Sequence, residues 1–266
     1  MSVREPLVIT STSNPRLKAA AALRDRHERE RTKLILVEGV REVERALDAG
    51  LVPREVWLMG SLSDVARRCE RLGATLISSS AHVFEKLGMR GGDGAIVSIF
   101  ERPVAQVEAL FSEAKPLILA VHGVEKPGNL GALLRTADGV GVAGVVVLES
   151  SVDVYAPQTI RASLGTVFTQ PVVVMDSDGW ARMTAERGVA VVAAALDERG
   201  RPPWAIDLRR PLCLLLGSEA HGLPADWIAR SEVATVPMRG HADSLNVGAA
   251  GAMLLYEALR QRAGTG

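Results

Sequence analysis

Residues 117–137 read LILAVHGVEKPGNLGALLRTA. An unbroken apolar run, LILAV, gives way to a turn rich in glycine and proline, and then to a stretch with helical spacing. Apolar runs without polar alternation suit strands whose sheet is covered on both faces. The segment therefore reads as strand, loop and helix, the repeating unit of an α/β fold. Its loop leaves the C-terminal end of the strand, where parallel sheets place their ligands.

The same alternation runs outward in both directions. Downstream, VVVLES, PVVVMD, VAVVAAAL and LCLLLG read as strands, with TIRASLGTVF and DGWARMTAERG as helices among them. At the C-terminus Val247, Ala250, Gly251, Leu254, Leu255 and Ala258 repeat at helical spacing and make one apolar stripe. Upstream, residues 14–33 read as one polar, alanine-rich helix. LILVE, REVWLM, ATLIS and AIVSIFE follow as strands, with GVREVERALDAG, SLSDVARRCERLG and SAHVFEKLG as helices between them. The expected division is an N-terminal domain over 1–102, a linker or connecting helix over 103–115, and a second domain over 116–266. There is no internal repeat and no low-complexity segment.

Composition narrows the function. The 266 residues are 47% hydrophobic and 23% charged, the balance of a soluble globular chain. The longest apolar run, Val189 to Leu196, falls far short of the ~20 residues of a membrane span. The N-terminus lacks the basic-then-apolar pattern of a signal peptide. Two cysteines make no disulfide framework, and no Cys/His cluster has metal spacing. These features predict a cytoplasmic, metal-free protein. Equal numbers of basic and acidic residues, 31 each, argue against a nucleic-acid partner. The average hides an uneven chain, however. Residues 14–33 hold seven basic residues (Arg16, Lys18, Arg24, Arg26, Arg29, Arg31, Lys33) against three acidic ones. That helix is either a solvated face or a phosphate-binding surface. An aromatic content of 4% argues against modules that stack bases on aromatic sheets.

Several motifs fail on context. Gly139-Val-Gly141-Val-Ala-Gly144 matches a dinucleotide fingerprint, yet it closes a helix and precedes a strand, the reverse of what a pyrophosphate site needs. It reads as a helix C-cap and turn. Gly123 and Gly128 have P-loop spacing, but Asn129-Leu130 stands where Lys-Ser/Thr is required. His221 lies near Ser218 and Glu219 without a nucleophile elbow.

Three polar segments survive. In the first, Asn129 is placed to cap a helix, and Arg135 sits among apolar neighbours, either paired at the surface or held for chemistry. In the second, LLLGSEAHGLP (214–224), glycines would admit a ligand to the backbone, and Glu219 is either a cap or a functional carboxylate. The third, VPMRGHADSLNVG (236–248), leads into the C-terminal helix, with Ser244 a candidate N-cap. The small residues of Gly248–Ala252 allow close packing against either a ligand or another helix.

Taken in order, these segments resemble the three motifs of the SpoU-type RNA ribose 2′-O-methyltransferases of the SPOUT superfamily. The matching residues are Asn129-x-Gly131-x-x-x-Arg135-Thr-Ala137, then Leu216-Gly217-Ser-Glu219-x-x-Gly222, then Pro237-Met238 and Ser244-Leu245-Asn246-Val247. The run from Asp153 through Tyr155, Pro157, Arg161 and Ser163 to Gly165 is similar to the family's intervening segment, and LVEGVREVERAL (36–47) to its small N-terminal domain. Gly248 departs from the Ser or Ala of many relatives.

The resemblance implies a C-terminal SPOUT domain with a parallel sheet and deep trefoil knot, preceded by a small α/β ribosomal-protein-like substrate-binding domain. It implies S-adenosylmethionine as cofactor, bound by Leu196, Gly217, Val236, Met238 and Leu245. Asn129, Arg135, Glu219, Ser244 and Asn246 become the catalytic set, with Arg135 stabilising the attacking ribose oxygen. Arg16, Lys18, Arg24, Arg26, Lys33, Arg41 and Arg161 become the RNA-binding set. A homodimer acting on ribosomal RNA, as a housekeeping or a resistance modification, is the implied assembly. Transfer RNA as substrate is one alternative, a non-catalytic ribosome-associated protein a second, and a nicotinamide oxidoreductase a third.

Overall fold

The computed structural model describes residues 5–88 and 95–264. In chain order the elements are β1 (Leu7–Ile9), α1 (Pro15–Ala22), α2 (Arg26–Thr32), β2 (Leu34–Glu38), α3 (Val40–Asp48), β3 (Pro53–Leu58), α4 (Asp64–Arg71), β4 (Thr75–Ser79), α5 (Ala81–Lys86) and β5 (Ile96–Glu101). After a short 3-10 turn at Val107–Phe111 come β6 (Leu117–His122), α6 (Pro127–Val140), β7 (Gly144–Leu148), α7 (Pro157–Ala162), β8 (Val172–Met175), α8 (Ser177–Glu186) and β9 (Ala190–Ala194). Then follow β10 (Leu212–Leu216), α9 (Ala225–Arg230), β11 (Glu232–Ala234) and α10 (Val247–Ala263). None of the described helices is long and apolar enough to cross a membrane.

The chain forms two compact units. The first comprises residues up to Val104 together with Asp153–Thr169. Its five-stranded sheet has the order β1-β4-β3-β5-β2, parallel through β1, β4 and β3 and antiparallel through β5 and β2. Trp57, Phe84, Ile77 and Leu36 fill its core. The expected single helix over 14–33 is two helices. The chain turns at Leu23–Asp25, and the Asp25 carboxylate accepts the backbone N–H of His27 at 2.8 Å and caps α2. A competing side-chain cap breaks a run whose propensity alone favours continuation.

The same unit holds a buried ion pair. Arg29 bonds Asp153 at 2.6 and 2.8 Å, with side chains only 3% and 8% exposed. Its guanidinium also donates to the carbonyls of Leu23 and Arg24. Arg45 donates to Leu164 O at 2.5 Å. These bonds tie residues 153–169 to the helices of the first unit.

The second unit comprises Ala105–Val152 and Gln170 onward. Its six strands run in the order β11-β9-β10-β6-β7-β8, every pair parallel. The uninterrupted apolar strands β6, β7 and β10 are its buried middle, as double-sided cover demands. Gly141, at φ 75°, closes α6, so the fingerprint-like glycines form a helix cap and turn. Two short elements, β11 and α9, lie outside the strands and helices expected from sequence.

α10 packs on α6 at close range. A β-carbon on Gly251 would come 2.5 Å from Leu133 and 2.9 Å from Leu216, well inside van der Waals contact. The small residues of the third motif thus serve helix packing at Gly251, one of the two readings left open by sequence.

Candidate active site

A cavity of about 400 Å³ opens at the C-terminal ends of β9, β10 and β11. Ala194, Leu216 and Ala234, the last residues of those strands, line it. This is where an open parallel sheet presents its ligand loops. Two turns complete the wall. One follows β10, where Ser218 and Gly222 form an isolated bridge and Gly222 N–H donates to Ser218 O at 2.9 Å. A β-carbon on Gly217 would collide with the backbone of Gly222 and lie 2.6 Å from Leu223 N, so only glycine fits that turn. The other is residues 236–246, which lead into α10.

All five residues expected to hold the cofactor, Leu196, Gly217, Val236, Met238 and Leu245, line this cavity. Its walls are mostly apolar side chains and backbone. Such a surface suits a flat heterocycle and a thioether-like chain, with main-chain groups supplying the hydrogen bonds. Glu219 and His221 are its titratable members, and Ser244 lies on the rim.

Beside it three polar side chains from three segments form one hydrogen-bonded cluster. Asn129 donates its amide N–H to the Glu219 carboxylate. Asn246 donates to Asn129 Oδ1 at 3.2 Å and to Glu219 Oε1 at 3.4 Å. Asn246 Oδ1 meanwhile accepts Gly248 N–H at 2.9 Å and caps α10. Two expected caps are therefore corrected. Asn246, not Ser244, opens α10. Asn129 is not the cap of α6, because Pro127 occupies the first helical position and Lys126 precedes it. That shift frees the Asn129 amide for Glu219. Glu219 in turn is not a helix cap. The cluster leaves a carboxylate, steered by two amides, as an acceptor for an incoming hydroxyl.

Arg135 lies elsewhere. It is exposed on α6, is not among the residues lining the cavity, and its side chain makes no ion pair or hydrogen bond among the described residues. His122, at the end of β6, is held below the ordinary imidazole value mainly by burial, against the opposing charges of Glu149 and Asp226. It does not line the cavity.

The residues expected to meet RNA divide into two groups, all in the first unit. Arg16 pairs with Glu55 at 2.6 Å, Arg24 with Glu38 at 2.7 Å, and Arg26 with Glu30 at 2.7 Å. Arg161 approaches Glu38 at 3.6 Å and is 60% exposed. Burial pushes the Glu38 carboxyl up, an effect opposed by the charges of Arg24 and Arg161. Lys18, Lys33 and Arg41 are exposed without ion pairs among the described residues. The basic excess of residues 14–33 is thus largely matched by carboxylates that the fold brings to it, and it is not one free basic face.

Sequence reading missed Ala194, Ser218, His221, Ile228 and Ala234 in the cavity wall. The signal for Ala194 and Ala234 was positional, since both end parallel strands, but the three-residue β11 was not legible.

Known proteins resemble this chain along most of its length. Residues 116–256 match the SpoU rRNA Methylase family, and residues 14–96 an MRM3-like substrate binding domain. A 23S rRNA (uridine(2479)-2′-O)-methyltransferase of Streptomyces viridochromogenes is 31% identical over 91% of this chain and 88% of its own. A 23S rRNA (guanosine(2553)-2′-O)-methyltransferase of Bacillus subtilis is 29% identical over 93% of this chain and 97% of its own. The crystal structure of an AdoMet-bound rRNA methyltransferase from Sinorhizobium meliloti superposes with a TM-score of 0.88 at 30% identity, covering 95% of this chain and 97% of that one.

Proposed function

The chain belongs to the SpoU rRNA methylase family, and from that premise we propose that it is an S-adenosyl-L-methionine-dependent enzyme that methylates a ribose 2′-hydroxyl of RNA. Its substrate is 23S ribosomal RNA, the substrate named for the relatives that match nearly its whole length. The observation that carries this reading is the convergence of Asn129, Glu219 and Asn246 beside an apolar cavity lined by Gly217, Met238 and Leu245.

The cofactor supplies an activated methyl group on a sulfonium. Everything else falls to the chain's own residues. Leu196, Val236, Met238 and Leu245 exclude water around the cofactor and hold it by shape, while Gly217 lets the main chain approach it. Asn129 and Asn246 steer the Glu219 carboxylate, which accepts a hydrogen bond from a ribose hydroxyl and so fixes the sugar. Ser244 adds a polar rim. Alignment of this kind is the enzyme's main contribution to a direct displacement.

A ribose hydroxyl is a weak acid, so a cation must favour its alkoxide. Guanidinium is never neutral in proteins and therefore serves as an electrostatic stabiliser. Arg135 takes this role. Because it stands outside the cavity wall of its own chain, the reading includes a homodimer in which Arg135 serves the partner's site. Met253 and Tyr256 on α10, 50% and 67% exposed, support an apolar face that a second copy covers. The N-terminal unit (1–102 in the proposed division, with 103–115 as linker) binds the RNA, and the trefoil knot and a cytoplasmic location belong to the same reading.

The test is calorimetric titration of the protein with S-adenosylmethionine and with NAD, followed by transfer of labelled methyl to ribosomal RNA. Binding of the first ligand alone, with label entering RNA, supports the reading. NAD binding, or RNA binding without methyl transfer, would replace it with one of the rival functions.

A further inference from the structure

A second cavity, also of about 400 Å³, lies within the N-terminal unit, between the C-terminal ends of α3 and α4 and the turn that enters β3. That volume falls within the range of small-ligand sites. Leu47 and Leu51 form its floor. Val52 and Leu72 on its rim are 50% and 53% exposed, large apolar side chains that folding leaves in water.

The remaining rim is basic. Arg68 and Arg71 line the recess, and no carboxylate does. Arg68 is held in place by Asp48 at 2.5 Å. Arg71, and Arg67 one turn earlier on α4, are exposed and make no ion pair among the described residues. The contrast with the arginines of residues 14–33 is direct, because there Arg16, Arg24, Arg26, Arg29 and Arg31 are all committed to carboxylates. Arginines in the last turn of α4 also complement its dipole. That accounts for their charge but not for an apolar recess left open beside them.

We propose that this recess docks one unstacked nucleotide of the RNA substrate. Its base lies against Val52 and Leu72, and Arg71, with Arg67, meets the flanking phosphates. An apolar platform beside forked cations complements a splayed nucleotide, which presents a flat base flanked by anionic phosphates. The inference rests on the proposed RNA substrate and extends it to a specific surface, so that the N-terminal unit reads a loop or bulge through contacts not tied to one base.

The experiment uses the full chain and transcripts of 23S ribosomal RNA. Two variants probe the two halves of the recess, Arg67→Ala/Arg71→Ala and Val52→Ser/Leu72→Ser, all at exposed positions. Each is expected to raise the RNA Kd and the KM for RNA roughly tenfold, on the order of one lost RNA contact, with kcat and the Kd for S-adenosylmethionine unchanged. The arginine pair should also lower the salt slope of RNA binding by about 1 for each phosphate contact removed. RNA affinity within about twofold of wild type in both folded variants overturns the proposal. Loss of binding to intact large ribosomal subunits alone overturns it equally, since that would assign the recess to a ribosomal protein. Wild-type transfer measured in parallel separates the readings, because an enzyme that methylates RNA normally in both variants fails this proposal while upholding its function.

Discussion

Replacing Arg29 with alanine removes one partner of the buried ion pair that ties residues 153–169 into the first unit. The lost contacts are two bonds to Asp153, at 2.6 and 2.8 Å, and bonds to the carbonyls of Leu23 and Arg24 at 2.7 and 2.8 Å. What remains is an Asp153 side chain 8% exposed and without its cation, though its Oδ1 still accepts Tyr155 N–H at 2.9 Å. Removing one member of such a pair costs about 3–5 kcal/mol, because the surviving charge stays buried. The retained bond from Tyr155 places the cost near the middle of that range. The corresponding fall in melting temperature is on the order of 10 °C. In the double variant Arg29→Ala/Asp153→Asn the orphan charge is gone while an acceptor for Tyr155 remains, so about 1–3 kcal/mol should return. Scanning calorimetry of the wild type, both single variants and the double variant closes the cycle. A drop of less than about 3 °C for Arg29→Ala, or a double variant no more stable than the single, would refute the assignment of the pair as a structural clasp.

Other outcomes follow from the same geometry. Gly217→Ala forces a β-carbon into the backbone of Gly222 and Leu223, where nothing flexible yields; overpacking of this kind costs about 1–3 kcal/mol, and titration should show S-adenosylmethionine affinity lowered at least tenfold. Arg135→Ala should abolish methyl transfer while leaving cofactor binding within about twofold, since Arg135 lies outside the cavity wall; near-normal turnover would remove it from the mechanism. Burial pushes the Cys69 thiol up to about 11 and the Cys213 thiol up to about 12. Both should therefore resist an aromatic disulfide reagent at pH 8 in the native protein and react only with unfolding; rapid native labelling would contradict their burial.

Much of the second unit was legible because its signals are local. The apolar runs of β6, β7 and β10 announce covered parallel strands, and the stripe from Val247 to Ala258 announces α10. The rejected fingerprint at Gly139–Gly144 turned on chain order alone, and the left-handed Gly141 accords with it. Tertiary choices were not legible. Whether Asn129 caps α6 depends on where Pro127 starts that helix, and the answer moved Asn129 from backbone to carboxylate. The charge surplus of residues 14–33 looked like a free surface because its partners lie far along the chain. Glu55 answers Arg16 and Asp153 answers Arg29, separations of 39 and 124 residues. Arg67 and Arg71 drew no attention from sequence, since nothing local shows that they stay unpaired beside an apolar recess.

Methyl transfer to a ribose oxygen is chemically distinct from transfer to any base atom. Ribosomal RNA incubated with the enzyme and S-adenosylmethionine, then digested in alkali, should yield one labelled alkali-resistant dinucleotide, because a methylated 2′-oxygen cannot assist cleavage of its neighbouring phosphate. That product should be missing with Arg135→Ala. Label recovered only in alkali-sensitive mononucleotides would place the methyl on a base and contradict the account.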